Sequence, residues 1–338
     1  MRKRDEPSTQ LDHDRLTEIL QAARDVRILV VGDLMLDRYI SGRVDRISPE
    51  APVPVVRVDS ESSAIGGAAN VAANVVALGA RCEIIGCLGR DAAGEDLRLA
   101  LEDLGVGTGG TVRADGRPTS VKTRILARRQ QVVRFDHEDD TDVPAEIAEE
   151  LEQAVDQKAV SCDAVVLEDY NKGVLVESVI QTALGKSLDL GIPSVVDPKR
   201  IRFFDFKGTT VFKPNAKELA NALGAHLRPD DEAWMESTRR HLECENLLLT
   251  LGEEGIALQT EDGRHLRVPA VARSVYDVSG AGDTVTAVTA VALAAGATMV
   301  EAAVLANHSA AIEVGKAGVA TVSPEEILSH SRVHEEAS

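Results

Sequence analysis

The sequence predicts an α/β protein, with a mainly parallel sheet covered by helices on both faces and a small second sheet beside it. Three observations carry this. From residue 143 onward, apolar strand-like runs alternate with helix-like runs, the order that builds a covered parallel sheet. Residues 27–33 form a short apolar run ending in Gly-Asp, as a buried parallel strand does where it meets a crevice. Residues 38–63 and 111–136 break the alternation with extended segments carrying prolines or arginines, which together suit a small sheet over the main body.

In chain order, residues 1–10 read as disordered and 11–25 as an amphipathic helix, with Leu16, Ile19, Leu20 and Ala23 at helical spacing. Strand 27–33 and the first extended segment are followed by helix 66–78, strand 83–87 and helix 92–104. After the second extended segment come helix 143–160, strand 164–168, helix 174–190 and strands 194–197 and 209–212. Helices 215–223 and 231–242, strand 246–251 and a hairpin over 255–268 follow. Helices from 284, near 299–314 and at 324–330 close a chain read as one domain over 1–338.

Composition narrows the function classes. At 44% hydrophobic and 27% charged residues, the 338-residue chain has the material for a large core. A net charge of −18 argues against nucleic-acid and anionic-membrane partners, while leaving room for a small phosphorylated ligand on a local basic patch. Cys82, Cys87, Cys162 and Cys244 lack C-x-x-C spacing and read as buried thiols in a reducing compartment. With no apolar leader behind the basic start and no apolar run long enough for a bilayer, the expected location is cytoplasmic.

The most informative stretch is Val275-Tyr276-Asp277-Val278-Ser279-Gly280-Ala281-Gly282-Asp283-Thr284. A glycine turn feeding a helix leaves unpaired N–H groups aimed at one spot, which suits an anion. Asp283 at that mouth reads either as a general base beside the anion cradle or as a helix cap. Gly66-Gly67-Ala68-Ala69-Asn70 pairs a close-approach turn with an amide that can meet hydroxyls. Asn215 and Glu218, one helical turn apart, have the usual layout of a capping box and could also hold a hydrated Mg²⁺. Thr250-Leu251-Gly252 ends a strand in a glycine turn suited to nucleotide phosphates. Five cations fall in the thirteen residues from Lys122 to Arg134 without an acid between them. In a strand Lys122, Arg124 and Arg128 share a face by even spacing, as does Arg134 in the absence of a bulge. The face is either solvated or built to grip a phosphate.

Together these motifs resemble the two signatures of the ribokinase-like (PfkB) carbohydrate kinases, with Pro214-Asn215-x-x-Glu218 and Thr250-Leu-Gly252 between them in the family's order. Gly32-Asp33-x-x-x-Asp37-Arg-Tyr39, Arg46-Ile-Ser-Pro49-Glu50-Ala-Pro52-Val-Pro54, Arg129-Gln130-Gln131, Asp169-Tyr170-Asn-Lys172-Gly173 and Asp197-Pro198-Lys199 are similar to the D-glycero-D-manno-heptose-7-phosphate kinases. The resemblance covers about residues 27–323. It implies a three-layer α/β/α core with a β-sheet lid that also mediates a homodimer. It further implies ATP-dependent phosphorylation of the anomeric hydroxyl of heptose 7-phosphate, within ADP-heptose synthesis. None of the histidines forms the H-x-G-H motif of the bifunctional members' second domain, so the stand-alone kinase is expected.

Carried over by position, Asp283 is the base, and the backbone of Gly280, Ala281 and Gly282 holds the transferring phosphoryl. Asp37, Gly66, Gly67 and Asn70 meet the sugar. Lys122, Arg124, Arg134, Asp169 and Lys172 complete the substrate side. Asn215 and Glu218 organise Mg²⁺ through water. Thr250 and Gly252 face the nucleotide phosphates, and Asn307 borders the adenine. Asp277 and the 316–318 loop suit a monovalent cation such as K⁺. Four departures stand out: Lys213 for Thr, Glu168 for Ser, Arg129 for Asn and His308 for Ala. Arg129 and Glu168 bear on sugar choice, so another phosphosugar or sugar kinase is the near alternative, and a sensor without turnover the distant one. A Rossmann dehydrogenase is disfavoured because no G-x-G-x-x-G follows residues 27–33.

Overall fold

A computed structural model describes residues 11–128, 130–272 and 275–335, so the expected disorder of residues 1–10 and the Arg129 departure lie outside the described residues. Helix α1 (His13–Ala22) leads into β1 (Arg27–Gly32). Two long strands, β2 (Leu34–Ile47) and β3 (Pro54–Gly67), leave the main body and return to it. Then come α2 (Ala68–Ala77), β4 (Arg81–Gly89), α3 (Ala92–Asp103) and β5 (Gly107–Ala114), followed by the pair β6 (Ser120–Ala127) and β7 (Gln130–His137). The second half runs α4 (Ala145–Ala159), β8 (Ala164–Glu168), α5 (Glu177–Leu190), β9 (Ser194–Asp197), β10 (Val211–Phe212), α6 (Ala216–Leu223), α7 (Glu232–His241) and β11 (Asn246–Thr250). It closes with β12 (Ile256–Gln259), β13 (His265–Val268), α8 (Ala281–Ala294), α9 (Met299–Glu313) and α10 (Pro324–Glu335).

Nine strands form the large sheet in the order β13-β12-β11-β10-β9-β8-β1-β4-β5. The β11–β12 and β12–β13 pairs are antiparallel and the others parallel. Successive residues of β1 feed opposite cores: Ile28 and Val30 pack in the layer of α1, α2, α8 and α9, Leu29 and Val31 in that of α4, α5, α6 and α7. That is why the strand reads as an unbroken apolar run. Each such fully buried side chain contributes roughly 1.5–3 kcal/mol relative to exposure. Helix α8 is apolar on all sides because ten consecutive residues, Asp283 to Ala292, are buried.

The second sheet has the order β3-β2-β6-β7, with β2–β6 parallel and the outer pairs antiparallel. Two expectations need correction. Residues 111–114 belong to β5, the edge of the large sheet, and not to the second sheet. The start of β5 is a Gly-rich run with no apolar alternation to betray it. A Cβ at Gly110 would meet Ile85 Cγ1 at 2.8 Å and one at Gly107 the carboxylate end of Glu83 at 2.7 Å, so the close pairing favours glycine here. Arg128 does not share the face of Lys122 and Arg124. β6 ends at Ala127, and Arg128 sits exposed in the turn after it with φ 49°. The bulge of the β6–β7 pair lies in β7 at Val132 and leaves Arg134 opposite Arg124.

Candidate active site

The C-terminal ends of β1, β8, β9, β10 and β11 converge on the N-terminus of α8, where parallel-sheet ligands bind. Gly280 caps α8 with φ 99°. A Cβ there would also press to 3.2 Å from Asn70 Nδ2 and from Glu313 Oε1, so glycine is needed for both backbone and space. Three residues on, buried Asp283 enters the first turn. Its Oδ2 accepts from Asn70 Nδ2 at 2.7 Å and its Oδ1 from the Tyr170 hydroxyl at 2.8 Å. Burial pushes the Asp283 carboxyl up, and those two hydrogen bonds counter it. A buried carboxylate with a raised pKa in the first turn of a helix could take a proton beside an anion held at that helix terminus.

Beneath it lies a buried charged floor built from strand ends. Asp197, at the end of β9, accepts from Lys199 Nζ at 3.0 Å and from Lys213 Nζ at 2.9 Å. Burial alone would raise Asp197, but the two ammonium groups hold it below the usual carboxylate range. Lys199 also reaches Glu218 Oε1 at 3.0 Å. Glu168, at the end of β8, is fully buried with neither oxygen hydrogen-bonded. Burial, then the charges of Asp197 and Asp283, drive its carboxyl well above the usual range. Oxygens of Glu168, Asp197 and Asp283 lie within 4.8 Å of one another, a crowding of carboxylates that the ammonium groups of Lys199 and Lys213 offset.

On the second sheet, Lys122 and Arg124 of β6 face the crevice. Arg124 pairs with Asp37 and lies 5.4 Å from the Tyr39 ring centre. Lys122 Nζ sits 5.3 Å from the Tyr170 ring centre, and burial lowers its pKa. Arg134 is the cross-strand neighbour of Arg124 but turns to Asp136, at 2.6 Å, on a more exposed patch. Gly66 and Gly67 end β3 against Asp37 and Met35. Lys172 Nζ bonds Glu138 at 2.8 Å. Asp169 braces its own loop by accepting from the Asn171 and Lys199 backbone N–H groups, and burial pushes it up to about 6.

On the opposite side, Asn215 and Glu218 form a complete capping box at the start of α6, with reciprocal bonds of 2.9 and 2.8 Å. The second oxygen of Glu218 nevertheless points to Lys199 and the floor, so one residue serves both arrangements that its spacing allows. Thr250 bridges to Asn215, and Gly252 turns with φ 61°. Asn307 Nδ2 donates to the Pro269 carbonyl at 2.8 Å. Asp277 caps Ser279, while the N–H groups of Tyr276 and Asp277 both donate to the Val314 carbonyl.

Five residues at the centre carry no role in the sequence reading: Asp33, Tyr170, Asp197, Lys199 and Lys213. Asp33 is wholly buried and accepts the backbone N–H groups of Tyr170, Lys172 and Val174 at 2.7–3.1 Å, fixing the loop after β8. Their common signal is position, since each ends or lies within two residues after an apolar strand of the parallel sheet.

A family model described as "pfkB family carbohydrate kinase" matches residues 26–326. The chain is 42% identical over 320 residues to the bifunctional protein HldE of Geotalea uraniireducens, covering 94% of this chain and 65% of that protein. It is 41% identical to the HldE of Citrifermentans bemidjiense, covering 94% and 66%. The chain thus spans just under two thirds of these relatives' length. Among solved structures, Arabidopsis thaliana ribokinase complexed with ribose and ATP superposes with a TM-score of 0.72 at 20% identity, over 91% of this chain and 99% of that one. Escherichia coli phosphofructokinase-2 in complex with potassium gives 0.74 at 20% identity, over 92% and 99%. At such identity these two establish the ribokinase-like fold.

Proposed function

Because the chain belongs to the pfkB family and is an ATP-using carbohydrate kinase, we propose that its acceptor is the anomeric hydroxyl of D-glycero-D-manno-heptose 7-phosphate. The product would be the 1,7-bisphosphate, and its use ADP-heptose synthesis in the cytoplasm. The observation that carries the acceptor is the 41–42% identity to HldE proteins over 94% of the chain. The pair of cations Lys122 and Arg124 beside Asp37 supports a phosphorylated sugar over a neutral one.

In this reading Asp283 takes the hydroxyl proton, and the N–H groups of Gly280, Ala281 and Gly282 face the phosphoryl in transit. Asp37, Gly66, Gly67 and Asn70 meet the sugar hydroxyls. Lys122, Arg124 and Arg134 meet the distal phosphate, with Lys172 and Asp169 shaping the wall. Lys199 and Lys213 supply fixed positive charge below the phosphates. Thr250, Gly252 and Asn307 border the nucleotide. The oxygen donors of Asn215 and Glu218 would hold Mg²⁺ through water, and such an ion would neutralise charge on the nucleotide phosphates. Asp277 would serve a monovalent cation. The second sheet acts as lid and dimer contact, a role favoured by exposed Val132, Val133 and Phe135 on its edge strand β7.

The test is ATP-dependent turnover on heptose 7-phosphate, fructose 6-phosphate, fructose and ribose, with Mg²⁺ and K⁺ present. The expected result is a clear preference in kcat/KM for the heptose phosphate. Preference for a neutral sugar would discard the acceptor and the role given to β6.

A further inference from the structure

We propose that Tyr170 is a positioning residue for the base Asp283, and that its ring joins that base to the acceptor side and the nucleotide side of the crevice. The inference rests on Asp283 being the base. The loop bearing Tyr170 is held from three directions. Asp33 accepts the backbone N–H groups of Tyr170, Lys172 and Val174, and Asn171 takes a left-handed turn at φ 53° with its N–H on Asp169 Oδ1 at 2.7 Å. Arg117, from the segment before β6, clamps the same loop by donating to the Lys172 carbonyl as well as to those of Asp139 and Thr141. The phenol is therefore aimed by the backbone.

From that fixed loop the hydroxyl donates to Asp283 Oδ1, while Asn70 of α2 donates to Oδ2. Two donors on two oxygens, from two separate elements, set the plane of the carboxylate. The ring is the second half of the argument. Lys122 Nζ of the second sheet lies 5.3 Å from its centre and Lys199 Nζ of the nucleotide side 4.9 Å, both within cation–π range. One side chain thus touches the base, a cation of the acceptor side and a cation of the nucleotide side.

The groups facing Asp283 are Asn70 on α2, Glu168 on β8, Asp197 and Lys199 at β9, Lys213 after β10, and Glu313 on α9 behind Gly280. Among the described residues, Asn70 and Tyr170 alone hydrogen-bond its carboxylate. Both bonds favour the ionised form against burial and the charge of Asp197. Removing the hydroxyl therefore moves the acid limb of turnover to higher pH.

The experiment compares Tyr170→Phe with wild type across pH, measuring kcat and the KM of both substrates. Phe keeps the ring and removes the bond, so both KM values should hold while kcat falls about 10- to 100-fold on the acid side. The deficit should shrink as pH rises. A loss equal at every pH would overturn the proposal, because packing alone has no pH dependence. Tyr170→Ala should in addition raise KM for both substrates, since it removes the surface met by both lysines. A readout independent of any sugar separates failure here from failure of the acceptor assignment. Burial and then the charge of Asp283 hold the Tyr170 phenol well above the usual tyrosine range. In Asp283→Asn, ultraviolet titration of the three tyrosines should show one phenol ionising at lower pH than in wild type. An unchanged titration would overturn the contact even in a protein inactive on every sugar tried.

Discussion

The floor of the large sheet and the face of the second sheet both present cations to the crevice, but they secure them in opposite ways. Lys213 and Asp197 pair with side chains 2% and 4% exposed, locked between strand ends. Arg134 and Asp136 pair on the second sheet at 42% and 25% exposure, and Arg43 and Asp59 at 53% and 45%. A buried ion pair leaves a stranded charge when one partner goes, whereas an exposed one hands its partner to water. The floor therefore holds charge at a fixed place, and the second sheet holds charge that can be lent to a ligand.

The sharpest way to test that contrast is at its centre. Asp283→Asn should keep ATP binding while turnover drops roughly 10²–10⁴-fold, the range for a lost general base. Unchanged kcat would move the chemistry away from the floor. Asp197→Ala should strand Lys213 and cost about 3–5 kcal/mol in urea unfolding, against a far smaller change for Arg43→Ala on the second sheet. Equal costs would erase the distinction between the two regions.

A pH experiment probes the same burial. Burial pushes the Glu313 carboxyl from 4.5 up to about 8, so the folded chain binds a proton there that the unfolded chain has released. Stability from that proton is complete below about 4.5 and is lost as pH rises through about 8. Wild type should therefore lose stability relative to Glu313→Gln across that window, and parallel curves would contradict it. On the second sheet, Arg124→Ala should raise KM for the phosphosugar about tenfold with KM for ATP unchanged. Arg134→Ala should act in the same direction but less, being drawn off by Asp136. Equal effects on both substrates would return this face to plain solvation.

The sheet and the placing of Asp283 at a helix mouth were legible because their signals are local. A contiguous apolar run specifies β1, and Gly280 to Asp283 lie in one turn. What was not legible is carried by contacts distant in sequence. Tyr170 meets Asp283 across 113 residues, and Lys213 meets Asp197 across sixteen. Nothing beside Lys213 announces that a buried carboxylate awaits it, so it reads only as a departure from Thr. Arg128 was misplaced because β6 stops one residue before it, and even spacing does not tell a strand residue from the turn that follows. β5 was half missed because its glycines serve the neighbouring strand's side chains and leave no pattern of their own.

The junction of the two sheets has a mechanical consequence. β2 starts two residues after β1 ends, and β3 runs directly into α2, so both 14-residue strands are rooted in the floor without an intervening loop. At about 3.3 Å per residue they reach roughly 45 Å. They form a cantilever whose fulcrum is Asp33 to Met35 and Gly66 to Gly67. A bend of a few degrees at that root is magnified at Ile47 and Pro54, while Asp37 and Arg124, close to it, hardly travel. Contacts at the far tip thus gain leverage over the mouth of the crevice, and the residues proposed to meet the ligand stay in register with Asp283.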